Sequence, residues 1–378
     1  MIPSWYPNKK NELAGIFTKE FADDMAEHCE VSVFYPFDET VDEELVSALE
    51  NKIKVYRTGM KQSPIPKSGF IYNTFRFLNI FKKILQDFKP DIIHAHVSCP
   101  AGYIAAKIGN KYKIPVIITE HNPPEFLFSK KIQLKRCRYA AKKSKLFICV
   151  SEKLKQDLQK YNLKGNFITI YNGVRPVENY CNEVLEEEGV SINICSVASM
   201  YHKEIKGIKY LLEAVQILIL EKDLPIKLHI VGGGEYLDYF KTMAKTLKIE
   251  QYCLFYGSLS KKETFRIMYR SNFYVSASLY ETFGYSIVEA MLYGKPVVAT
   301  RCGGPEEIVT EETGVLVSPA NKQELSEAIM YMSENCAQFD KNIIQSYAKG
   351  KFSQTYIVEK YFDIYKEVLN EWRKENGI

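Results

Sequence analysis

Short apolar runs rich in β-branched residues alternate with helical patterns along this chain, and that alternation constrains the fold more than any other feature. The first half carries Val31–Tyr35, Lys54–Arg57, Ile92–His96, Val116–His121, Leu146–Val150 and Phe167–Tyr171. The second half carries Ile192–Ala198, Lys227–Val231, Cys253–Tyr256, Phe273–Ser276, Val297–Thr300 and Val315–Val317. Strands alternating with helices form parallel sheets joined by right-handed crossovers. The two sets flank GVRPVENYCNEVLEEEG, a polar stretch without a strong period, as a linker would be. The expected architecture is α/β, with two Rossmann-like domains at residues 1–172 and 191–354 and a linker at 173–190. A stripe of Ile357, Val358, Tyr361, Phe362, Tyr365, Val368, Leu369 and Trp372 predicts an amphipathic helix over 355–378.

Size agrees, because 378 residues are too many for one ordinary core and suit two domains. A net charge of +4 is too mild to demand nucleic acid. Nine cysteines, an odd and scattered set without a C-x-x-C pair, argue for reduced thiols and against a disulfide framework or zinc site. No uninterrupted apolar run has spanning length and no signal peptide opens the sequence, so a cytoplasmic location is expected. No cluster of Asp, His or Cys has the look of a metal site.

The segment YETFGYSIVEAMLYGKPVVATRCGG, Tyr280–Gly304, carries the chemistry. It sets Glu281 and Glu289 around a Phe283-Gly284 turn. The interval itself says little, since Glu12/Glu20, Glu213/Glu221 and Glu359/Glu367 repeat it. The context says more. Gly284 permits an unusual dihedral just before a helix, and Ile287, Val288, Ala290, Met291 and Leu292 make that helix mostly buried. Gly294-Lys295-Pro296 stops it, and Val297-Val298-Ala299 follows as a buried strand. A helix beginning near Gly284 aims free N–H groups and its positive end at whatever precedes it, a position that suits an anion such as a diphosphate. Two carboxylates flanking that position can accept hydrogen bonds from sugar hydroxyls.

On these residues the chain resembles the retaining glycosyltransferases of family four, the group 1 glycosyl transferases with the GT-B fold. The family's E-F-G-x-x-x-x-E segment is matched by Glu281, Phe283, Gly284 and Glu289, and its G-x-P-V-V-A and G-G elements follow. The resemblance implies two Rossmann-like domains with parallel sheets facing a central cleft. It implies that the first domain takes the acceptor, the second binds the donor, and the last helix packs back on the first. It also implies further positions. Lys206 in SVASMYHKEIKG matches the lysine that neutralises the donor diphosphate. The family's arginine falls on Ser199 or Met200, with Lys203 as a substitute. Gly15 matches the glycine of the first loop, and His121 in PVIITEH the histidine near the donor sugar. His94 and His96, alternating on another strand, read as structural. Asn172-Gly173-Val174 matches the hinge motif, with Arg175 in place of the usual acid.

The expected site is then Glu281, His121 and Lys206 in catalytic roles. Donor binding falls to Gly15, Ser199, Lys203, Lys206, Gly233, Leu259, Glu281, Thr282, Phe283, Gly284, Tyr285 and Glu289. Gly233 enters through Gly232-Gly233-Gly234 at the end of a strand, which is not the dinucleotide fingerprint because Leu237 stands at its third glycine position. The implied reaction moves a sugar from a UDP- or GDP-sugar to a glycan or lipid-linked acceptor, with no metal and no cofactor besides the nucleotide-sugar co-substrate. A nucleotide-sugar epimerase of the same fold and a catalytically weak nucleotide-sugar-binding protein are the alternatives.

Two further features stand apart. Lys130–Lys145 carries eight basic residues and no acidic one, so it suits an anionic membrane surface, on whose inner face the protein would be peripheral, or a solvated face. Only Met1-Ile2-Pro3-Ser4 precedes Trp5, where the family has an apolar strand. The central strand of the first sheet is therefore expected to be missing, and an apolar segment before Met1 is expected in the native product.

Overall fold

The computed structural model describes residues 1–65, 68–176 and 192–377. The chain divides into two compact units, Met1–Gly173 with Gln354–Ile378, and Val174–Ser353. Residues 177–190 of the expected linker lie outside the described residues.

The first unit carries β1 (Ile2–Pro3), β2 (Ser32–Tyr35), β3 (Val46–Glu50), β4 (Ile53–Arg57), β5 (Ile93–His96), β6 (Val116–Glu120), β7 (Leu146–Cys149) and β8 (Phe167–Thr169). A parallel sheet runs β1-β5-β6-β7-β8, and a second sheet runs β2-β4-β3. The first strand, expected to be missing, is present but short. Ile2 pairs with Ala95 and Pro3 with His96. On its other side the Phe34 N–H donates to the Met1 carbonyl at 2.9 Å and the Met1 amino group donates to the Ser32 carbonyl. Two residues are too few to show a period, and proline lacks the N–H a central strand uses, so this strand leaves no pattern in the sequence. Beneath it lies a cavity of about 220 Å³, lined by Met1, Met25, Val31, Ile92, Phe362 and Leu369 among others. Burial there pulls the Met1 ammonium down to about 5.

The other departure is β3, antiparallel to β4 through a turn at Asn51, whose φ is +54°. Its five residues, VSALE, are mostly exposed, and the segment is not among the strands expected from the sequence. The last helix, Gln354–Asn376, belongs to the first unit. Its Ile357, Val358, Tyr361 and Val368 share a core with Phe21, Met25, Ile117 and Ile148.

The second unit carries β9 (Ile192–Val197), β10 (Ile226–Val231), β11 (Cys253–Gly257), β12 (Phe273–Ser276), β13 (Val297–Thr300) and β14 (Gly314–Val317). All pairs are parallel, in the order β11-β10-β9-β12-β13-β14. This is the doubly wound order, in which the chain reverses its direction of travel between β9 and β12. Leu211, Leu212 and Val215 of the Ile208–Leu220 helix pack with Ile194, Leu228, Ile230, Val275 and Val298 of the strands. That sheet is covered by apolar helices, so its polar chemistry is left to the loops at its edges.

Candidate functional site

Open parallel sheets take ligands outside the carboxyl ends of the strands, where the strand order reverses. In the second unit that place is bounded by the loops after β9 and β12. The two loops are locked together by backbone. The Leu279 N–H donates to the Ile205 carbonyl at 2.7 Å. Gly207, at φ +61°, lies so close to the neighbouring loop that an added Cβ would sit 1.8 Å from the Ala277 carbonyl oxygen. Only glycine permits both the dihedral and the approach.

Lys206 and Glu281 meet across this join. Lys206 Nζ stands 2.5 Å from Glu281 Oε1, with the two side chains 28% and 16% exposed. The Ser278 hydroxyl donates to the same oxygen at 2.9 Å. Backbone fixes Glu281 as well: its N–H donates to the Cys302 carbonyl at 3.0 Å, and its carbonyl accepts the Gly304 N–H at 2.8 Å. The result is a half-buried cation and carboxylate at the reversal point, held by rigid neighbours. Cys302 adds no nucleophile, because burial pushes its thiol up to about 12.

Gly284 caps the Tyr285–Leu292 helix with φ +115° and without a side-chain cap. An uncapped helix start concentrates unsatisfied N–H groups and partial positive charge. Thr282, Tyr285 and Glu289 are half-buried, and Glu289 is one turn beyond Tyr285 on the same face of the helix. Phe283 is buried, with ring contacts to Tyr285 and Phe352 at 5.4 and 5.9 Å. The Tyr274 hydroxyl donates to Ser286 Oγ at 2.8 Å and accepts the Val197 N–H at 3.2 Å, which ties this helix start to the end of β9.

The other donor-side candidates lie on the same sheet edge. Ser199, at the family's arginine position, is exposed, and Met200 beside it is fully buried. The Lys203 ammonium sits over the Tyr239 ring at 4.4 Å. Gly232, Gly233 and Gly234 let the loop after β10 press on the loop after β9. The Met200 N–H donates to the Gly233 carbonyl at 2.8 Å, and a Cβ on Gly234 would meet the Met200 backbone at 2.2 Å. A Cβ on Gly233 would lie 2.3 Å from Ser258 Oγ, one residue before half-buried Leu259.

The first unit brings Gly15 and His121 into one neighbourhood. Gly15, at φ +64°, packs on the Trp5 backbone and opens the Ile16–Met25 helix. Phe17 of that helix lies 4.8 Å from the His121 ring. His121 Nε2 is 3.1 Å from His96 Nδ1, and the two rings stack. His94 bonds Thr119 Oγ1 at 2.8 Å and the Tyr365 hydroxyl of the last helix. Burial holds His121 at about 4 and drives His94 and His96 well below their ordinary range, so all three are neutral at ordinary pH.

Two residues here carry no weight in the sequence reading. Glu120 is fully buried and accepts the N–H groups of Ser98, His121 and Asn122 at 2.8–2.9 Å. Burial raises its carboxyl above the usual range while those bonds hold it down. His96, read as purely structural, is the direct partner of His121. Ser278 is the equivalent omission in the second unit. The signal for Glu120 and Ser278 was a polar residue just at or past the end of a buried strand.

The profile described as Glycosyltransferase Family 4 matches residues 14–178, and the one described as Glycosyl transferases group 1 matches residues 183–349. An uncharacterized glycosyltransferase of Methanocaldococcus jannaschii is 31% identical over 269 residues, 71% of each chain. The chain belongs to the group 1 glycosyltransferases of family four. The alpha-monoglucosyldiacylglycerol synthase of Streptococcus pneumoniae is 27% identical over 62% of this glycosyltransferase and 58% of its own length. The Anabaena HepE structure in complex with UDP and glucose has a TM-score of 0.75 at 19% identity, covering 97% of this chain and 98% of that one. Sucrose-phosphate synthase from Thermosynechococcus elongatus has a TM-score of 0.74 at 18% identity, covering 94% and 93%. The fold of this glycosyltransferase is therefore GT-B.

Proposed function

We propose that this glycosyltransferase binds a UDP- or GDP-linked sugar on the second unit, at the reversal between β9 and β12. It transfers the sugar with retention of configuration to a glycan or lipid-linked acceptor taken by the first unit. The Lys206–Glu281 pair carries this reading. A diphosphate supplies Lys206 with a stronger anionic partner than one carboxylate, and the uncapped Tyr285–Leu292 helix adds its positive end. Lys206 then stabilises the charge that develops on the leaving diphosphate, as a metal does elsewhere. Glu281, released from Lys206, accepts hydroxyls of the donor sugar, and Glu289 those of the ribose. Gly15 and neutral His121 serve the same reaction from the first unit. Support for a nucleotide donor comes from HepE, whose structure holds UDP and glucose. Support for a surface-glycan or lipid acceptor comes from two relatives. One is the alpha-monoglucosyldiacylglycerol synthase above, and the other is the Bacillus subtilis protein named "Putative teichuronic acid biosynthesis glycosyltransferase TuaC", 25% identical over 65% of this chain.

The test is nucleotide release from a panel of UDP- and GDP-sugars, with and without glycan and glycolipid acceptors and with EDTA throughout. Acceptor-dependent release with an unchanged anomeric configuration by NMR is expected. Acceptor-independent release of an epimerised sugar would favour the epimerase, and donor binding without turnover would favour the binding protein. Activity that EDTA abolishes and Mg²⁺ restores would overturn metal independence.

A further inference from the structure

The basic run at Lys130–Lys145 folds as the Lys131–Lys143 helix, whose Cys137, Ala140 and Ala141 are buried in the protein. Three of its cations are engaged. Arg136 lies over the Phe70 ring at 3.5 Å, Arg138 donates to the Tyr161 carbonyl, and Lys145 pairs with Glu375 at 2.5 Å. Lys130, Lys131, Lys135, Lys142 and Lys143 remain exposed. The helix itself offers one large exposed apolar side chain, Ile132, which is 51% exposed and one turn before Arg136.

The apolar surface comes instead from the element that Arg136 touches. Phe70 lies in the first turn of the Gly69–Ile84 helix, whose inner face buries Asn73, Thr74, Phe77, Ile80, Phe81 and Ile84. Its outer face presents Ile71 at 60% and Phe75 at 64% exposure, one turn apart, with Tyr72 at 39% beside them. Ile65, just upstream, is 65% exposed. Large apolar side chains clustered on adjacent elements mark a binding surface rather than scattered exposure.

We propose that this face of the first unit docks on an anionic lipid surface. Ile71, Tyr72 and Phe75 enter the headgroup layer, and the exposed lysines of the neighbouring helix face acidic headgroups. Apolar insertion beside lysines that remain solvated is the pattern of interfacial binding. Charge selects this occupant over a second copy of the chain. A two-fold interface centred on this face would crowd the exposed lysines of both copies together, and Lys130–Lys145 contains no acid to answer them. The inference is independent of the donor site, because none of these residues belongs to it.

The experiment is co-sedimentation of the full chain with vesicles of phosphatidylcholine alone and of equal parts phosphatidylcholine and phosphatidylglycerol, at low and high salt. Wild type should bind the anionic vesicles and lose binding as salt rises, and removal of each exposed lysine should weaken binding at low salt by about fivefold. Ile71→Ser/Phe75→Ser should bind at least about tenfold more weakly with unchanged circular dichroism, since both side chains are exposed. Charge reversal at Lys130, Lys131, Lys135 and Lys142 should abolish binding to the anionic vesicles. Wild type that ignores anionic vesicles at low salt, or a serine double variant that binds like wild type, would overturn the proposal. So would wild-type self-association, read by light scattering, that the serine variant alone abolishes, because the face would then belong to a second copy.

Discussion

The two units place their candidate residues at the same kind of position, the carboxyl edge of a parallel sheet, and build opposite environments there. The second unit sets a paired cation and carboxylate, half-exposed, on loops welded by glycine contacts. The first unit sets neutral, stacked imidazoles beside a buried carboxylate that accepts three backbone N–H groups. The two environments suit different chemistry, because a charged ligand is best met by charged, partly solvated groups, whereas neutral and largely buried rings offer it little. Fold alone therefore does not decide what a sheet edge can bind, and the dielectric around the edge does.

That contrast can be broken at several points. The largest effect is expected at Glu120. Glu120→Ala leaves the buried Ser98 N–H and the part-buried His121 and Asn122 N–H groups without their acceptor, at about 1–3 kcal/mol for the buried one and less for the others, a sizeable share of a net stability of about 5–15 kcal/mol. The melting temperature should fall steeply, and Glu120→Gln should recover much of it by keeping an acceptor. A melting temperature unmoved by the alanine variant would mean that the carboxylate does not organise the His121 loop.

Gly207→Ala comes next. It forces a Cβ into the Ala277 carbonyl at a left-handed dihedral, a cost of about 1–3 kcal/mol for the dihedral alone. It should also separate the two loops, so nucleotide affinity should fall together with stability. Intact affinity would show that the loop junction is structural only.

The histidines give a smaller, pH-dependent effect. His121 titrates at about 4 when folded, against an ordinary 6.5. Between those values the unfolded chain binds the extra proton. Its contribution is therefore full above 6.5 and declines as pH falls toward 4, by about 1.4 kcal/mol per pH unit. Thermal unfolding across that window should show the decline, and His121→Asn should reduce it to the share left by His94 and His96. A slope identical in both proteins would contradict the neutral assignment.

The smallest effect is expected at Lys203, whose ammonium rests on the Tyr239 ring. Lys203→Ala should change nucleotide affinity by less than about fivefold, near the size of an exposed cation–π contact. A loss as large as that of Lys206 would make Lys203 the working substitute for the family's arginine.

Much of this was legible in the residues, and what was not has physical reasons. β12 and β13 of the second unit, FYVS and VVAT, are buried along their whole length, as strands covered on both faces are, so these runs announce themselves. Gly284 and Gly207 were visible as punctuation before helices, but the close approach of Gly207 to Ala277 is a tertiary fact with no local trace. β1 escaped because its two residues pair on both sides without any pattern of their own. β3 escaped because its exposed VSALE lacks the alternation of a half-buried strand. His96 was readable as a strand residue, yet only the register of β5 beside β6 shows that it reaches His121. The basic character of Lys130–Lys145 is plain in the residues, but the exposed apolar face beside it lies on a helix about sixty residues upstream in sequence.

The Lys206–Glu281 pair at the strand reversal is the central claim, and calorimetric titration of UDP and GDP, then of their sugar conjugates, into three proteins tests it most directly. Wild type should bind one nucleotide. Lys206→Ala should bind that nucleotide at least about tenfold more weakly, the loss of a charge-assisted bond of about 1.5–3 kcal/mol. Glu281→Gln should bind the free nucleotide as well as wild type or better, because Lys206 is released, and should lose the added affinity for the sugar conjugate. Equal binding by all three proteins, or a Glu281→Gln loss confined to the free nucleotide, would contradict the account.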